Sequence, residues 1–298
     1  MSCHSGYHSL VLKNPLPLKV HCWGGFGSQL FALALVLDIE RHYKSRKIHI
    51  DFHTSGVTER KVEISDYLYG FSYSQVRDYN SKNTEFFSYR SKSNFFRLMR
   101  NLYKHLLVIL RILVYIDEKD LKYIRPWTLQ IRGHYSYRKI DVETFETLMS
   151  FLKINSHDFF LDENFRYVFQ YRLGDLVFLK TKDYVNLNLL EPIFENLMKT
   201  DSSTKIIACL TDSPELAKVS LAKYEFLFQS IVLCKTPNDT IDLGFRSEIF
   251  IGTNSKISLW IVILRLIYNK GLCFLPNELL WNVRKVVPHS VENNLKGY

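Results

Sequence analysis

The stretch Phe169-Gln-Tyr-Arg-Leu-Gly-Asp175 closes an apolar run that begins at Phe165 and predicts a buried strand. Just past the end of that run, Arg172 offers a planar fork of hydrogen-bond donors that matches phosphate oxygens. Gly174 and Asp175 follow directly. An Arg–Asp surface pair at the end of a strand accounts for the same residues, and this stretch alone favours that simpler interpretation. Its meaning therefore depends on how the other strands end.

Strands and helices alternate from residue 165 onwards. Ser213-Pro214 is typical of a helix start, and Gly271 is typical of a helix end. The predicted strands are residues 165–171, 205–210, 230–233, 248–252 and 272–275, and the helices between them begin near Asn188, Ser213, Asn238 and Lys256. This alternation predicts a parallel, doubly wound sheet, in which ligands bind at the carboxyl ends of the strands.

Polar side chains follow three of these strands. Arg172 follows the first, Thr211-Asp212-Ser213 the second and Thr253-Asn254-Ser255 the fourth, with Ser258 close behind. Any one of them is an ordinary helix cap. Together on one sheet edge they predict a site for a nucleotide diphosphate, with Asp212 suited to a base or ribose hydroxyl and the Asn254 segment to phosphate or sugar hydroxyls.

The first half opens with a glycine-rich loop. A strand at residues 18–23 leads through Gly24-Gly25-Phe26-Gly27 into an apolar helix, for which Ser28 is the predicted N-cap. Such a loop lets an anion approach the N-terminus of the helix, although it matches neither G-x-G-x-x-G nor a P-loop. A tight packing turn explains the glycines equally well.

Two histidine motifs have competing explanations. Alternation of Ile48, Ile50 and Phe52 predicts a strand whose other face carries His49, Asp51 and His53. These three could hold a metal, but the polar face of a half-buried strand is the favoured interpretation. A further strand at 127–131 ends before His134, which is a candidate acid, base or acceptor contact, or simply a turn residue.

Residues 90–116 carry basic side chains and no acidic one. Arg97, Lys104 and Arg111 recur every seven residues, and the predicted apolar stripe opposite them is Phe95, Leu98, Leu102, Leu106, Ile109 and Leu113. A basic amphipathic helix is typical of a surface that docks on anionic lipid. An internal helix whose stripe faces the core needs the same pattern.

Composition narrows the class of protein. The chain has 298 residues, 47% of them hydrophobic, a net charge of +9 and a pI near 9.1, which together indicate a folded protein with an anionic partner. Five scattered cysteines predict reduced thiols of a cytoplasmic protein. The apolar windows at 106–116 and 257–268 are shorter than a membrane-spanning helix requires. The chain shows no recognition-helix or RNP-type signature, so nucleic acid is not an expected partner.

In five short segments the chain resembles the α-1,2-fucosyltransferases of glycosyltransferase family 11. The segments are Gly24-Gly25-Phe26-Gly27-Ser28-Gln29-Leu30-Phe31, Gly133-His134-Tyr135-Ser136, Gln170-Tyr171-Arg172-Leu173-Gly174-Asp175, Thr211-Asp212-Ser213 and Asn254-Ser255-Lys256-Ile257-Ser258-Leu259-Trp260. They occur in the family's order across residues 20–262. Ser28, Gln170, Leu173 and Ser213 depart from the family's asparagine, histidine, second arginine and second aspartate.

The resemblance implies a GT-B fold, in which two Rossmann-like domains face each other across a cleft. Residues 1–157 would form the acceptor side, and residues 158–298 would bind a GDP-sugar. It implies an inverting transfer without metal or other cofactor, moving a 6-deoxy sugar (L-fucose, or colitose given the departures) onto a galactoside-type glycan. The linkage would be α-1,2, in O-antigen, lipopolysaccharide or other surface polysaccharide synthesis.

The resemblance also assigns roles and partners. Arg172, Asp175 and His134 are the implied catalytic residues, and the implied donor-binding residues are Gly25, Gly27, Gln29, Arg172, Asp212, Asn254, Ser255 and Ser258. The acceptor would be a glycan or lipid-linked oligosaccharide, met by a cytoplasmic protein that touches the inner membrane face through helix 90–116. The alternative is a non-enzymatic protein with the same fold and a decayed donor site, because the second arginine is lost.

Overall fold

The computed structural model describes residues 16–44, 46–54, 61–68, 70–76, 94–116, 121–136, 138–152, 165–173, 187–200, 207–234, 236–287 and 294–298. Asp175 and the proposed domain boundary at residue 157 lie outside these ranges. No helix in the described part of the chain combines the length and the hydrophobicity needed to cross a membrane.

The first half of the chain forms a parallel sheet in the order β3-β2-β1-β5-β4. Its strands are β1 (Leu18–Trp23), β2 (Ile48–His53), β3 (Ser72–Val76), β4 (Leu113–Tyr115) and β5 (Gln130–Arg132). Helix α1 (Phe26–His42) and helix α3 (Val142–Leu152) pack against each other through buried apolar side chains. The predicted strands at the start of the chain are thus confirmed, and the strand expected at 127–131 lies at Gln130–Arg132.

The second half forms a parallel sheet in the order β11-β10-β9-β6-β7-β8. Its strands are β6 (Tyr167–Tyr171), β7 (Ile207–Thr211), β8 (Phe228–Leu233), β9 (Ile249–Ile251), β10 (Cys273–Leu275) and β11 (Leu295–Gly297). The accompanying helices are α4 (Glu191–Thr200), α5 (Pro214–Leu221), α6 (Pro237–Arg246), α7 (Lys256–Ile267) and α8 (Asn277–Val286). This is the Rossmann strand order, so the doubly wound prediction is confirmed.

The two sheets share one hydrophobic core where helix α1 meets helix α7. A side chain at Gly27 would place its Cβ only 2.8 Å from the Lys256 Cβ, so glycine permits this close approach. The buried indole of Trp260 packs against Phe31 with the ring centroids 4.4 Å apart and the planes tilted by 34°, and its Nε1 donates to the Gly27 carbonyl at 2.9 Å. Two Rossmann-like units therefore face each other across a cleft, as the GT-B prediction requires.

Two local predictions were wrong. Helix α1 begins at Phe26 with Gly25 as its N-cap, so Ser28 lies inside the first turn instead of capping the helix. Helix α2 spans Asn94–Ile109 and does not continue to residue 116. Arg111 adopts a left-handed φ of 55° that ends the helical path, and Leu113 is buried in strand β4.

Candidate functional site

A cavity of about 630 Å³ lies between the two units, at the carboxyl ends of both sheets. In the second sheet, strands β7 and β8 are added on one side of β6, and strands β9 to β11 on its other side. The order of strands therefore reverses between β6 and β9, and ligands of such sheets bind at this switch point. The polar residues that line the cavity are Ser28, Glu63 and Ser136 from the first unit, with Gln170, Arg172, Thr211, Asp212, Thr236, Thr240, Asn254, Ser255, Lys256 and Asn282 from the second. The cavity therefore occupies the predicted ligand position.

Three helix N-termini open onto this cavity. Ser255 caps α7 and accepts a hydrogen bond from the Ser258 backbone N–H at 3.0 Å, whereas Gly25 begins α1 without a side-chain cap. Thr236 caps α6 in a reciprocal capping box with Asp239. Because the N-terminus of a helix carries partial positive charge and free N–H groups, these helix starts favour an anion. At α1 the first backbone N–H, that of Phe26, already donates to the Glu63 carboxylate. Arg172 and Lys256 add two cationic side chains to the lining.

Gln170 lies at the centre of a buried hydroxyl network under the cavity floor. Its Oε1 accepts hydrogen bonds from Thr253 Oγ1 at 3.1 Å, Ser255 Oγ at 3.2 Å and Ser258 Oγ at 2.5 Å. Ser258 Oγ in turn accepts from the Thr253 backbone N–H at 3.0 Å. The network joins the end of β6 to the start of α7, which fixes the two strand ends on either side of the switch point.

Asp212 supports the segment that carries Arg172. Its Oδ1 accepts a hydrogen bond from the Leu173 backbone N–H at 3.0 Å. Leu173 itself is 2% exposed and packs in the apolar core of the second unit, facing away from the cavity. At least one oxygen of Asp212 therefore holds protein backbone, in addition to any contact that this residue makes with a ligand.

Six of the predicted donor-site residues line the same cavity: Gly25, Gly27, Arg172, Asp212, Asn254 and Ser255. Gln29 and Ser258 are buried beneath it and bond to protein groups instead. Gln29 Nε2 donates to the carbonyls of Gly24 at 3.0 Å and Lys61 at 2.8 Å, and its Oε1 accepts from the Glu63 backbone N–H at 2.8 Å. The hydrogen bonds of the buried Gln29 side chain therefore tie the glycine-rich loop to the Lys61–Glu63 segment.

His134 is exposed on the turn after β5 and is not among the described residues that line the cavity. Its neighbours hold this turn in an unusual shape. Gly133 and Tyr135 have positive φ angles of 141° and 60°, and the buried Tyr135 hydroxyl donates to the carbonyl of His21. The turn places His134 beside the first sheet, and the cavity itself receives Ser136 from this segment.

Glu63 is a cavity residue that no sequence motif indicates. Its carboxylate Oε2 accepts a hydrogen bond from the Phe26 backbone N–H. This N–H is one of the donors at the start of α1 that have no partner within the helix. Glu63 lies on the first unit and lines the same cavity as Arg172. Its position is set by the long-range bond between its backbone N–H and Gln29, which sequence spacing alone does not reveal.

The His49, Asp51 and His53 face of β2 pairs with His21 on β1. His21 Nδ1 lies 3.0 Å from His53 Nε2, and Asp51 accepts from Ser74 Oγ at 2.7 Å. Burial lowers the pKa of His21 to about 4, with nearby Arg132 and His53 acting in the same direction. No group of three or more potential metal ligands arranged to hold a metal occurs in the described part of the chain. These side chains bond to one another across the sheet.

Comparisons with known proteins give similarities of chain path only. No protein-family model and no curated protein matches the chain. The E. coli heptosyltransferase WaaC with ADP-2-deoxy-2-fluoro heptose is 10% identical, with 95% of this chain and 93% of that chain covered and a TM-score of 0.42. A putative UDP-N-acetylglucosamine 2-epimerase from Listeria monocytogenes is 7% identical, with 87% and 79% covered and a TM-score of 0.42.

A third similar structure is POFUT1 in complex with GDP, which is 11% identical to this chain, with 84% of this chain and 94% of that chain covered and a TM-score of 0.30. All three TM-scores are below 0.5. The function of this chain therefore has to be argued from its own residues.

Proposed function

We propose that this chain is a nucleotide-sugar glycosyltransferase that uses a GDP-6-deoxy sugar, L-fucose or a relative such as colitose. The observation that carries the proposal is the convergence of Arg172, Lys256 and three helix N-termini on one cavity at the β6–β9 switch point. The five family-11-like segments support the choice of donor, since all five contribute residues to the cavity lining and Asp212 also accepts a hydrogen bond from the residue after Arg172.

In the proposed reaction an acceptor hydroxyl attacks C1 of the sugar while the bond from C1 to the diphosphate oxygen breaks. The bonding electrons leave with the diphosphate, and the sugar passes through an oxocarbenium-like state, as in glycoside hydrolysis. Arg172 and the N-terminus of α7 stabilise the charge that grows on the leaving group. This arrangement supplies by protein groups what a metal ion supplies elsewhere, so no cofactor is needed.

The attacking hydroxyl must also lose its proton to a base on the side opposite the leaving group. Asp175 and His134 are the candidates from the sequence, with Asp175 also able to orient Arg172. Glu63 is a third candidate, and its carboxylate lines the cavity on the first unit. Displacement from that side inverts the configuration at C1, so the products are an inverted glycoside and free GDP.

The proposed acceptor is a galactoside-type glycan, joined by an α-1,2 linkage during O-antigen or surface polysaccharide synthesis. A lipid-linked acceptor would bring the protein to the inner face of the cytoplasmic membrane. Helix α2 supports such a contact, because its apolar side chains Phe95, Leu98, Leu102, Leu106 and Ile109 are 51% to 72% exposed and the helix contains no acidic residue. An apolar stripe beside basic side chains suits an anionic bilayer surface.

The alternative, a non-enzymatic protein with a decayed donor site, rests on the lost second arginine. Leu173, which replaces it, is buried in the core of the second unit. Leu173 is not among the described residues that line the cavity, and the cationic Arg172 and Lys256 in the lining support the enzymatic proposal.

The test is calorimetric binding of GDP to the wild type and to Arg172→Ala, without and with Mg²⁺. We expect wild type to bind without Mg²⁺ and Arg172→Ala to bind at least about 10-fold more weakly, because a charge-assisted contact to phosphate is lost. The matched control is Arg166→Ala, which removes an exposed arginine from the start of the same strand, where it pairs with Glu248 at 2.6 Å.

Arg166→Ala should bind GDP as wild type does. If the wild type binds no GDP under either condition, the donor-site proposal fails and the result favours the non-enzymatic alternative. With binding established, turnover of GDP-fucose and GDP-colitose with galactoside acceptors identifies the transferred sugar.

A further inference from the structure

The side chain of Gln170 is oriented by the hydroxyls around it. Its Oε1 receives hydrogen bonds from Thr253, Ser255 and Ser258. Ser258 Oγ accepts from the Thr253 backbone N–H and Ser255 Oγ accepts from the Ser258 backbone N–H. The single Ser255 hydroxyl proton is shared between Ser258 Oγ at 3.1 Å and the amide oxygen at 3.2 Å, whereas the Thr253 and Ser258 hydroxyls donate to the amide oxygen. An amide oxygen has two lone pairs, and these two hydroxyl donors fill them. The carbonyl end of Gln170 is therefore committed to the protein.

The amide nitrogen of Gln170 is the end that remains for a ligand. The residue is 5% exposed, yet its side chain lines the cavity. Among the residues that the structure describes, Nε2 makes no hydrogen bond, although a buried amide ordinarily satisfies both of its N–H donors. A polar group held this firmly, at the bottom of a cavity, is preorganised to donate to whatever fills it.

The position of the amide indicates what it meets. Gln170 is two residues before Arg172 on β6, and its oxygen is bonded to Ser255, the N-cap of α7. Gln170 therefore shares the cavity lining with a guanidinium and a helix N-terminus, both of which favour an anion. A primary amide nitrogen only donates, and the non-bridging oxygens of a diphosphate only accept, so the two match without any change of protonation.

We propose that Gln170 Nε2 donates a hydrogen bond to a phosphate oxygen of the nucleotide-sugar donor, as a neutral ligand beside the cationic Arg172. This inference rests on the proposed function, because it assigns a contact within that donor site. It gives the histidine-to-glutamine departure at this position a chemical consequence. A glutamine donates in the same way at every pH, whereas a histidine titrates near neutral pH and changes its donors.

The test uses Gln170→Glu, because glutamate has the same shape and can still accept from the three hydroxyls. It replaces the two N–H donors with a second carboxylate oxygen, which repels a phosphate. We expect Gln170→Glu to weaken GDP binding at least about 10-fold by calorimetry. Binding of guanosine, which has no phosphate, should change by less than about 2-fold. Gln75→Glu, the same chemical change at an exposed position on β3, is the matched control and should bind both ligands as wild type does.

Each outcome separates this inference from the proposed function. If the wild type binds no GDP, the proposed function itself fails. If wild type and Gln170→Glu bind GDP equally, the donor site stands and the role of Gln170 is limited to its hydroxyl network. Equal losses of GDP and guanosine affinity would show a general distortion of the site and would also overturn the phosphate contact. A melting temperature measured for each variant shows whether a loss of affinity accompanies unfolding.

Gln170→His gives a second readout that does not depend on the carboxylate. The imidazole should make GDP affinity depend on pH between about 5.5 and 7.5, while the wild-type affinity stays flat apart from the titration of GDP itself. The same pH profile in Gln170→His and in wild type would contradict the proposal.

Discussion

At the scale of single residues, the carboxylate of Glu63 lines the cavity on the first unit, where the proposed function requires a base for the acceptor hydroxyl. Its backbone N–H is bonded to Gln29 and its carboxylate to the Phe26 backbone N–H, so the side chain is held at both ends. A carboxylate accepts through two oxygens, and the bond to Phe26 uses one of them. The other oxygen is available to an acceptor hydroxyl.

We expect Glu63→Gln to lower kcat by about 10²–10⁴-fold while leaving GDP affinity within about 2-fold of wild type. The glutamine oxygen can still accept from the Phe26 backbone N–H, so the start of α1 is preserved, but the amide cannot take a proton. The measurement is steady-state transfer to a galactoside acceptor, combined with calorimetric GDP binding to the same preparation.

The control for Glu63→Gln is Asp66→Asn, which neutralises an exposed carboxylate three residues further along the chain. It should retain wild-type turnover. If Glu63→Gln also retains wild-type kcat while Asp175→Asn or His134→Asn loses it, the base is one of the two residues that the sequence indicates.

What the sequence reveals about single residues depends on whether a local pattern marks them. Arg172, Asn254 and Ser255 could be predicted as cavity residues because each follows an apolar strand. Ser258 and Gln29, which the resemblance assigns to the donor site, are buried and bond to protein atoms, a position that sequence spacing alone does not reveal. Glu63 reaches the cavity through a bond to a residue 34 positions away, which no local pattern encodes.

At the scale of elements, the hydrophobic periodicity and the helix start and stop residues predicted the strand–helix units of the second half. There, each strand is a short apolar run followed by a helix with a recognisable start. They failed between residues 90 and 116. The apolar repeat continues past Ile109 into β4, so periodicity alone extends the helix too far. The chain turns at Arg111 through a left-handed conformation, which is rare for arginine and was therefore not expected.

Helix α2 gives the test of membrane contact. Reversing charge with Arg97→Glu, Arg100→Glu and Lys104→Glu should abolish sedimentation with vesicles of phosphatidylglycerol and phosphatidylcholine. The helix would lose about 1 kcal/mol of attraction per basic residue near an anionic surface and gain repulsion. Wild type should bind these vesicles and release them as salt is raised.

The matched control changes net charge by the same amount elsewhere, with Lys199→Glu, Lys218→Glu and Lys223→Glu on exposed positions of the second unit. This control should still sediment. If the α2 variant sediments as wild type does, the basic residues of α2 are not the contact. If both variants are released alike, binding depends on net charge and not on α2.

At the scale of the whole molecule, two sheets share a core that crosses the cleft. The Gly27–Lys256 approach and the Trp260 indole join α1 to α7, so the N-termini of both helices open on one cavity. The alternation of strands and helices predicts the parallel sheet of the second unit, but it does not say how that unit meets the first. That relation follows from a glycine and a tryptophan 233 positions apart, and only the five-segment resemblance brought them into one hypothesis.

The first sheet carries a histidine whose ionisation should be visible in the stability of the whole protein. Burial is the main cause that lowers the pKa of His21 to about 4, and Arg132 and His53 add to it, while Asp51 opposes it. An unfolded histidine titrates near pH 6.5. As the pH falls below 6.5, His21 binds a proton in the unfolded chain but not in the folded chain, so the free energy of unfolding falls. The loss levels off below about pH 4, where the folded state also protonates.

We expect the free energy of unfolding to decrease by about 2 kcal/mol between pH 7 and pH 5 on account of His21 alone. The other charged groups facing His21 are Lys19, Asp51, His53 and Arg132. Burial acts to raise the pKa of Asp51, but its hydrogen bond from Ser74 and its cationic neighbours outweigh burial and lower it, so its contribution is lost only below about pH 4. The pH 5–7 window therefore isolates the histidines from Asp51.

The measurement is urea unfolding at pH 7 and pH 5 for wild type, His21→Asn and His105→Asn. Asparagine does not titrate, so the difference between the two pH values should shrink by about 2 kcal/mol in His21→Asn, whatever that substitution does to stability at pH 7. His105→Asn removes an exposed histidine from α2 and should keep the wild-type difference. An unchanged difference in His21→Asn would mean that His21 is protonated alike in the folded and unfolded chains. Its burial between β2 and β5 would then not exclude the charged form, and the row of side chains across the first sheet would be open to water.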